Sequence, residues 1–338
     1  MKALSLFGAG DARITDVAEP VLRSGDLMLK VEMVGLCGTD LNSFRGRNPL
    51  VTYPRILGHE IAATVLEGNA SVPVGTRVTV SPYTSCGVCP SCRRGRENAC
   101  RDNQTFGVQR DGAITELLAV PAVKVYPSAL PLKHLCLVEP LTVGFHAVAR
   151  GRVTPQDVVA VFGCGGIGLG AIAGAAFRGA RTIAIDLDDT KLETARLAGA
   201  TDLIHSGRDD VREQLSAITG GDGPDVMIEA IGLPETFRLC VEAVAFTGRV
   251  VYIGYAKEPV AYETKLFVQK ELDVLGSRNA LPEDFREVMA MLEAGRFPVD
   301  EAVSAVVGLD DAPAMLAKWS ATPSAYTKIM IQMRSTRG

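Results

Sequence analysis

Four cysteines lie within a span of fifteen residues, in the pattern Cys-x2-Cys-x2-Cys-x7-Cys. They are Cys86, Cys89, Cys92 and Cys100. This spacing is typical of tetrahedral thiolate coordination, and because all four ligands come from one segment, no position is left open for a substrate. The sequence therefore predicts a structural zinc site. An iron–sulfur cluster and a nucleic-acid-binding ribbon are the alternatives.

A second group of potential metal ligands is spread along the chain. Cys37 lies in GLCGTD, His59 and Glu60 lie in GHE, and Glu139 lies in EPL. Scattered ligands are typical of an open catalytic zinc site, which has three protein ligands and one position for water or substrate. Spacing alone does not distinguish this role from ordinary packing of single cysteines and histidines.

A glycine-rich turn has the pattern G-x-G-x-x-G. It contains Gly163, Gly165, Gly166, Ile167 and Gly168, follows the apolar run VVAVF and precedes the small-residue run LGAIAGAAF. In this context the first glycine permits a tight turn, the second lets a pyrophosphate approach, and the third lets helix and strand pack closely. The pattern predicts a dinucleotide whose pyrophosphate lies at the helix N-terminus.

An acidic residue follows the turn at the expected distance. Asp186 comes 18 residues after Gly168, at the end of the next predicted strand, where it can accept hydrogen bonds from a ribose. Leu187 comes next and no arginine follows directly to hold a 2′-phosphate, so NAD is favoured over NADP. Lys191 can reach the ribose or phosphate. The alternative role of Asp186 is that of a helix cap.

The predicted elements divide the chain into two kinds of structure. The first part is β-rich, with short strands over 27–34, 61–68 and 77–82. From about residue 155, strands and helices alternate, which predicts a doubly wound parallel sheet. After Gly276 come two helices and a last strand, YTKIMIQM, and this tail is expected to return to the first domain. The fold class is therefore α/β, with a β-rich domain beside a Rossmann domain.

Composition excludes several classes of protein. At about 150 residues per domain, 338 residues suggest two domains, and 47% hydrophobic with 22% charged residues excludes disorder. Eight cysteines are too few for a disulfide scaffold, and a net charge of −4 argues against nucleic acid or anionic membrane as partner. The N-terminus lacks a signal-type apolar region, which predicts a cytoplasmic protein. The uncharged stretch Val158–Phe177 is predicted as strand, turn and helix, not a membrane span.

These motifs resemble a known family. GLCGTD, GHE, the four-cysteine segment, EPL and the glycine turn occur in the order found in zinc-dependent medium-chain dehydrogenases, and the resemblance spans essentially the whole chain. EPLTVGFHA is similar to the sorbitol dehydrogenase branch, where a glutamate replaces the third cysteine ligand. YPRILGHEI and GSRNALPEDF are most similar to bacterial sugar-acid dehydrogenases of the L-galactonate 5-dehydrogenase type. The resemblance implies a GroES-like catalytic domain (1–142 and 277–338) around a Rossmann NAD-binding domain (143–276).

The resemblance also implies roles for the scattered group. Cys37 and His59 match ligands of the catalytic zinc, while Glu60 and Glu139 match two carboxylates that compete for, or exchange at, the remaining protein position. Two alternatives remain open: Glu60 orienting the metal site without binding the ion, and Glu139 only forming a hydrogen bond at the domain hinge. Thr39 matches the hydroxyl that receives the substrate proton.

Further positions match the cofactor and substrate cleft of the family. Those assigned to the cofactor are Ile253, Gly254 and Ser277. Arg278, with Asn279 and Ser43, is the predicted substrate contact, since a guanidinium suits hydroxyls or a carboxylate; a salt bridge at the domain junction is the alternative role of Arg278. The chain departs from its relatives at Asn42, where alcohol dehydrogenases often have a relay histidine, and at Ser43, where sorbitol dehydrogenases have a tyrosine.

The combined prediction is an oxidoreductase with two zinc ions per chain and NAD. It oxidises a secondary hydroxyl of a sugar acid such as L-galactonate, or of a polyol, to a ketone. A polyol dehydrogenase is one alternative, and a zinc-free NADPH-linked reductase of the same architecture is another, against which Cys37, His59 and Asp186 argue. The expected partners are a small-molecule substrate and further copies of the chain, as a homodimer or homotetramer.

Overall fold

The computed structural model of the protein describes residues 1–333. It contains two compact units. The first comprises Met1–Glu139 together with the described residues from Val299 onward, and the second comprises Pro140–Pro298.

Strands dominate the first third of the chain, and helices alternate with strands in the rest of it. The strands are β1 (Lys2–Gly8), β2 (Asp11–Asp16), β3 (Asp26–Leu36), β4 (Arg55–Ile56), β5 (Glu60–Glu67), β6 (Arg77–Val80), β7 (Leu117–Pro121), β8 (Val125–Pro127), β9 (Val158–Phe162), β10 (Arg181–Asp186), β11 (Asp202–His205), β12 (Val226–Glu229), β13 (Arg249–Tyr252), β14 (Asp273–Gly276), β15 (Ala305–Gly308) and β16 (Ile329–Gln332). The α-helices are α1 (Gly38–Phe44), α2 (Pro90–Arg93), α3 (Leu132–Arg150), α4 (Gly166–Phe177), α5 (Asp189–Leu197), α6 (Val211–Ile218), α7 (Pro234–Ala243), α8 (Lys265–Gln269), α9 (Pro282–Glu293), α10 (Val299–Ala302) and α11 (Ala312–Ala321).

The first unit is built on two mainly antiparallel sheets, in which β15 and β16 form a parallel pair. One sheet has the strand order β15-β16-β3-β5-β6-β8, with β7 also paired to β3, and a smaller one has the order β2-β1-β4. The tail returns to this unit as the sequence predicts, because β16 pairs antiparallel with β3 through Ile331 and Val34. Both residues belong to a buried apolar core, and burial of such surface stabilises the unit.

The second unit is a parallel sheet with the order β11-β10-β9-β12-β13-β14. Numbered within the unit, this is the 3-2-1-4-5-6 order of dinucleotide-binding folds. The strand order reverses between β9 and β12, and ligands of such sheets bind beyond the carboxyl ends of the strands at that point. The predicted α/β architecture is therefore confirmed.

The compact units differ from the predicted domain division in two segments. Residues 140–142 and 277–298 are expected from the sequence in the catalytic domain, whereas they lie in the second unit. A hydrogen bond and an ion pair hold α9 there: His146 Nδ1 lies 2.9 Å from Asp284 Oδ2, and Arg178 Nη2 lies 2.6 Å from Glu287 Oε2. Which boundary delimits an independently folding domain stays a prediction.

The uncharged stretch 158–177 forms β9, the glycine turn and α4. Its small residues serve close packing: a Cβ on Gly170 of α4 would lie 2.7 Å from the Leu141 carbonyl oxygen of α3. Among the described residues, no helix combines the length and the apolarity needed to cross a bilayer.

Candidate active site

Cys37 lies where β3 ends and α1 begins. It is the N-cap residue of α1, and the Asp40 carboxylate, three residues on, accepts a hydrogen bond from its N–H at 2.9 Å. The other Asp40 oxygen accepts the Gly58 N–H at 3.4 Å. The buried Asp40 side chain thus ties the loop that carries Cys37 to the loop that carries His59.

The backbone before His59 requires glycine. Gly58 has a φ of +98°, which other residues rarely adopt. A Cβ at this position would lie 2.6 Å from the Ile114 side chain and 2.7 Å from that of Val34. Packing against Ile114 and Val34 therefore requires the glycine of GHE.

The ligand atoms of Cys37, His59 and Glu60 all lie within 4.8 Å of one another. His59 is buried, and its Nδ1, which has no hydrogen-bond partner in the described chain, lies 3.8 Å from Asp40 Oδ1. Burial opposes protonation of His59, but the negative charge of Asp40 and a hydrogen bond with Cys37 prevail and raise its pKa well above the ordinary value. Thiolate, imidazole and carboxylate are ligands that zinc prefers, and a divalent cation would offset this negative charge. The side chains present fit zinc.

The Glu60 carboxylate is bound by a buried lysine. Lys328, just before β16, donates to Glu60 Oε1 at 2.5 Å and Oε2 at 2.7 Å, and to the Leu36 carbonyl at 3.3 Å. Burial opposes the charge of Lys328, but attraction to Glu60 prevails and raises the lysine pKa. A Cβ on Gly35 would lie 1.9 Å from Glu60 Oε2, so β3 needs glycine there to make room for the carboxylate.

Glu139 lies on α3 and is held by a tyrosine that follows β6. The buried Tyr83 hydroxyl donates to Glu139 Oε1. Burial and the charge of Glu139 raise the pKa of Tyr83 well above its ordinary value, and burial raises the pKa of Glu139. Glu139 is outside the 4.8 Å group, although its charge acts on His59. Whether Glu60 or Glu139 completes a zinc site stays a prediction.

The predicted relay and substrate residues on α1 have different surroundings. Thr39 Oγ1 lies 3.8 Å from Cys37 Sγ, beside the metal-ligating group. Ser43 is buried; its hydroxyl donates to the Thr39 carbonyl at 2.8 Å and accepts from Asn48 Nδ2 at 3.1 Å. A substrate contact by Ser43 would have to displace these bonds, and it stays a prediction. Asn42 is exposed.

The four-cysteine segment forms a second group. Its sulfurs all lie within 4.8 Å of one another; Cys89 Sγ is 3.5 Å from Cys92 Sγ and 3.9 Å from Cys100 Sγ. Tetrahedral Zn–S bonds give a sulfur–sulfur distance of about 3.8 Å. The Cys86 N–H donates to Cys100 Sγ at 3.3 Å, and hydrogen bonds, chiefly from the Ser91 hydroxyl, lower the pKa of Cys89 to about 5. This segment therefore fits a tetrahedral metal ion.

The glycine turn lies between β9 and α4, as predicted. Gly163 has a φ of +93°, and a Cβ on Gly168 would lie 1.7 Å from the Gly163 carbonyl oxygen, so both positions require glycine. No atom lies within 4 Å of a Cβ placed on Gly165, which leaves that side of the turn open. Helix α4 has no side-chain N-cap, so its first N–H groups can bind an anion. The turn fits a pyrophosphate.

Asp186 ends β10 and is fixed to the backbone of this turn. Its Oδ2 accepts the Cys164 N–H at 2.7 Å, and Oδ1 accepts those of Leu187 and Asp188 at 2.8 and 3.1 Å. The N-cap of α5 is Asp188, so Asp186 does not have the alternative role of helix cap. Lys191 lies in the first turn of α5, and its charge opposes the rise in the pKa of Cys164 that burial and Asp186 cause.

The other predicted cofactor and substrate residues follow β13 and β14. The N–H groups of Ile253 and Gly254 both donate to the last carbonyl of β12, at 2.9 and 3.1 Å. Ser277 is buried, and its hydroxyl has no hydrogen-bond partner in the described part of the chain. An unpaired buried hydroxyl is costly unless a ligand satisfies it, so Ser277 fits a bound group. The substrate roles of Arg278 and Asn279 stay predictions.

Three residues of the metal-ligating region were not found from the sequence. Asp40 has a local signal, because an acidic residue three positions after an N-cap reaches back to the cap. Tyr83 and Lys328 have no such signal, since they contact Glu139 and Glu60 across 56 and 268 residues of chain.

Two family models match the chain. Residues 23–131 match the alcohol dehydrogenase GroES-like domain, and residues 166–294 match the zinc-binding dehydrogenase domain. Among curated relatives, the L-galactonate-5-dehydrogenase of Escherichia coli K12 is 33% identical over 285 residues, which cover 83% of this chain and 84% of the relative.

Two solved structures share the whole fold. A putative zinc-binding dehydrogenase from Sinorhizobium meliloti 1021, bound to NADP, is 31% identical, with a TM-score of 0.90 over 98% of this chain and 99% of the other. The alcohol dehydrogenase rspB from Escherichia coli CFT073, complexed with NADH, is 26% identical, with the same TM-score and coverage. With both domain models matched, the chain belongs to the zinc-type medium-chain alcohol dehydrogenase family.

Proposed function

We propose that this protein is a zinc-dependent, NAD-linked dehydrogenase that oxidises a secondary hydroxyl of a sugar acid or polyol to a ketone. The observation that carries the proposal is the convergence of Cys37, His59 and Glu60 in a chain of this family. Similarity to an L-galactonate-5-dehydrogenase supports a sugar acid of that kind as the first candidate substrate. A neutral polyol is the alternative.

Cys37 and His59 would hold the catalytic zinc together with one carboxylate, Glu60 or Glu139. A zinc ion bound there supplies a Lewis acid that lowers the pKa of the substrate hydroxyl. Thr39, beside Cys37, would receive the hydroxyl proton and pass it outward. The two carboxylates have different surroundings: Glu60 lies within the ligand group but is paired with Lys328, whereas Glu139 lies outside the group. This difference supports an exchange in which either carboxylate can be the third protein ligand of the zinc.

NAD is the proposed hydride acceptor, and the nicotinamide supplies that chemistry when bound. Asp186 supports NAD over NADP. Its carboxylate accepts a hydrogen bond from the glycine turn, and there it would accept hydrogen bonds from ribose hydroxyls and repel a 2′-phosphate. Gly163, Gly165 and Gly168 would receive the pyrophosphate at α4.

The proposal includes a second, structural zinc at the four-cysteine segment, a homodimer or homotetramer, and a cytoplasmic location. The sulfur–sulfur distances and the N–H···S bonds support the second zinc. The oligomeric state is proposed from the family resemblance alone.

One experiment tests the whole proposal. The purified chain is assayed for zinc and iron content and for reduction of NAD or NADP over a panel of aldonates and alditols. We expect two zinc ions per chain and NAD reduction with a sugar acid or polyol. Iron at the four-cysteine segment would identify a cluster instead. Absence of zinc at the Cys37 site, with NADPH-linked reduction of a carbonyl, would establish the zinc-free reductase in its place.

A further inference from the structure

An arginine in the segment 105–110 has no role in the mechanism above. The segment is a tight turn, closed by hydrogen bonds at 2.9 Å from the Thr105 N–H to Gln109 Oε1 and from the Gly107 N–H to the Arg110 carbonyl. The Arg110 guanidinium lies over the Phe106 ring, with Cζ 3.8 Å from the ring centre. This stacking fixes the plane of the guanidinium.

One side of the turn lies against the segment that leads to His59. A Cβ on Gly107 would lie 2.7 Å from the Gly58 nitrogen, and one on Gly112 would lie 2.3 Å from the Leu57 carbonyl oxygen. These two backbone segments therefore pack so closely that only glycine fits at positions 107 and 112. The position of the turn is therefore fixed relative to His59.

The other side lies against the segment that carries Tyr83. The Phe106 N–H donates to the Pro82 carbonyl at 3.2 Å, and Arg110 Nη2 donates to the same oxygen at 3.3 Å. Pro82 directly precedes Tyr83, whose hydroxyl binds Glu139. The guanidinium thus lies beside the two segments that enter the metal-ligating region.

The charge of Arg110 has no carboxylate partner among residues 1–333. The neighbouring Asp111 is used elsewhere, since its Oδ1 lies 3.1 Å from Arg55 Nη1 and accepts the Ile56 N–H at 3.1 Å. Arg110 Nε is buried and has no hydrogen-bond partner in that range, and burial lowers the pKa of Arg110. A half-buried guanidinium whose Nε donor is unsatisfied is costly unless a ligand completes its hydrogen bonds.

We propose that Arg110 is the anion-binding residue of the substrate site, receiving the carboxylate of a hydroxy acid whose hydroxyl lies at Cys37 and His59. The planar fork of a guanidinium matches a carboxylate in two parallel hydrogen bonds. This inference rests on the proposed function and makes it narrower: the substrate is a sugar acid, and the neutral polyol is a poor one. A phosphate ester presents the same oxyanion chemistry, so the test includes one.

The test compares three substrates of equal carbon number: L-galactonate, galactitol and galactitol 1-phosphate. Arg110→Met keeps the apolar stem over Phe106 and removes the donors. Arg13→Met is the matched control, because Arg13 also lies over a ring, that of Phe7, but is paired with Asp11. We expect Arg110→Met to lower kcat/KM for the aldonate by about ten- to a hundredfold and for galactitol by less than about threefold. Arg13→Met should change neither.

A binding arm separates this inference from the proposed function. Calorimetry with NADH present, which cannot accept a hydride, measures aldonate affinity without turnover. If the wild-type chain oxidises no member of the panel of aldonates and alditols, the proposed function fails. Loss of aldonate binding in Arg110→Met but not in Arg13→Met would still support the anion site.

Three outcomes decide the assignment of Arg110. Equal losses for aldonate and alditol, or no loss for either, would overturn it. If the wild-type chain prefers galactitol 1-phosphate and Arg110→Met abolishes that preference, Arg110 binds an anion but the anion is a phosphate ester. Should Arg110→Met fail to fold, Arg110→Lys serves instead, because it retains the charge and loses the planar fork. Arg110→Lys must then lower kcat/KM for the aldonate alone, and by less than a hundredfold.

Discussion

The buried pair of Lys328 and Glu60 gives the sharpest stability prediction. Replacing Lys328 by Met removes three hydrogen bonds, two to the Glu60 carboxylate and one to the Leu36 carbonyl, and leaves the fully buried carboxylate without its cation. Loss of one partner of a buried ion pair costs about 3–5 kcal/mol, because the remaining charge is neither solvated nor neutralised. We expect the Lys328→Met chain to lose free energy of unfolding in this range.

The chain offers a local reporter for the measurement. Trp319 is the single tryptophan, it is buried, and it lies on α11 in the first unit. Urea unfolding followed by tryptophan fluorescence therefore reports on the unit that contains the pair. Lys30→Met is the control, because Lys30 lies 3.2 Å from Glu32 in a partly exposed pair, and exposed pairs contribute about 0–1 kcal/mol.

A double-mutant cycle isolates the interaction. Glu60→Gln removes the stranded charge, so the Lys328→Met/Glu60→Gln chain should be more stable than the sum of the two single losses predicts, by about 0.5–3 kcal/mol. If Lys328→Met costs no more than Lys30→Met, or if the cycle is additive, the pair does not hold Glu60 as the structure indicates.

Three further predictions concern the metal and cofactor sites. Cys37→Ser should lose one zinc and all activity with little change in the unfolding midpoint reported by Trp319, whereas Cys89→Ser should lose the other zinc together with stability; one metal ion in a fully active chain would contradict this. Wild-type kcat/KM should favour NAD over NADP by at least about tenfold, and Asp186→Ser should reduce that ratio; equal wild-type values would refute the role of Asp186. Tyr83→Phe should leave the fold intact, weaken zinc retention and shift the visible absorption of the cobalt-substituted enzyme; an unchanged cobalt spectrum would show that the phenol does not position the metal site.

Much of the second unit was predictable because its signals are local. Short apolar runs separated by glycine turns indicate the strands, and the glycine pattern places the turn between β9 and α4. Helix α6 begins at Val211 because Asp210 caps it by accepting the N–H groups of Arg212 and Glu213. Backbone geometry likewise determines that Asp188, and not Asp186, caps α5.

The partners of the two carboxylates were not predictable in the same way. Spacing in the sequence identifies GHE and EPL, but it carries no information on which buried donor faces each glutamate. Lys328 reaches Glu60 only because β16 pairs with β3, and that pairing depends on tertiary register across most of the chain. A lysine before an apolar strand is otherwise expected at an exposed strand end.

The two arginines considered for the substrate illustrate the same limit. Arg278 was identified through resemblance, and it is exposed. Arg110 lies in the sequence QRDG, where the adjacent aspartate suggests that its charge is already balanced. The structure pairs Asp111 with Arg55 instead, 56 residues earlier in the chain, and leaves the buried Nε of Arg110 without an acceptor among the described residues. A cation becomes a candidate for substrate binding when its nearest counter-charge is used by another residue, and only the fold reveals that use.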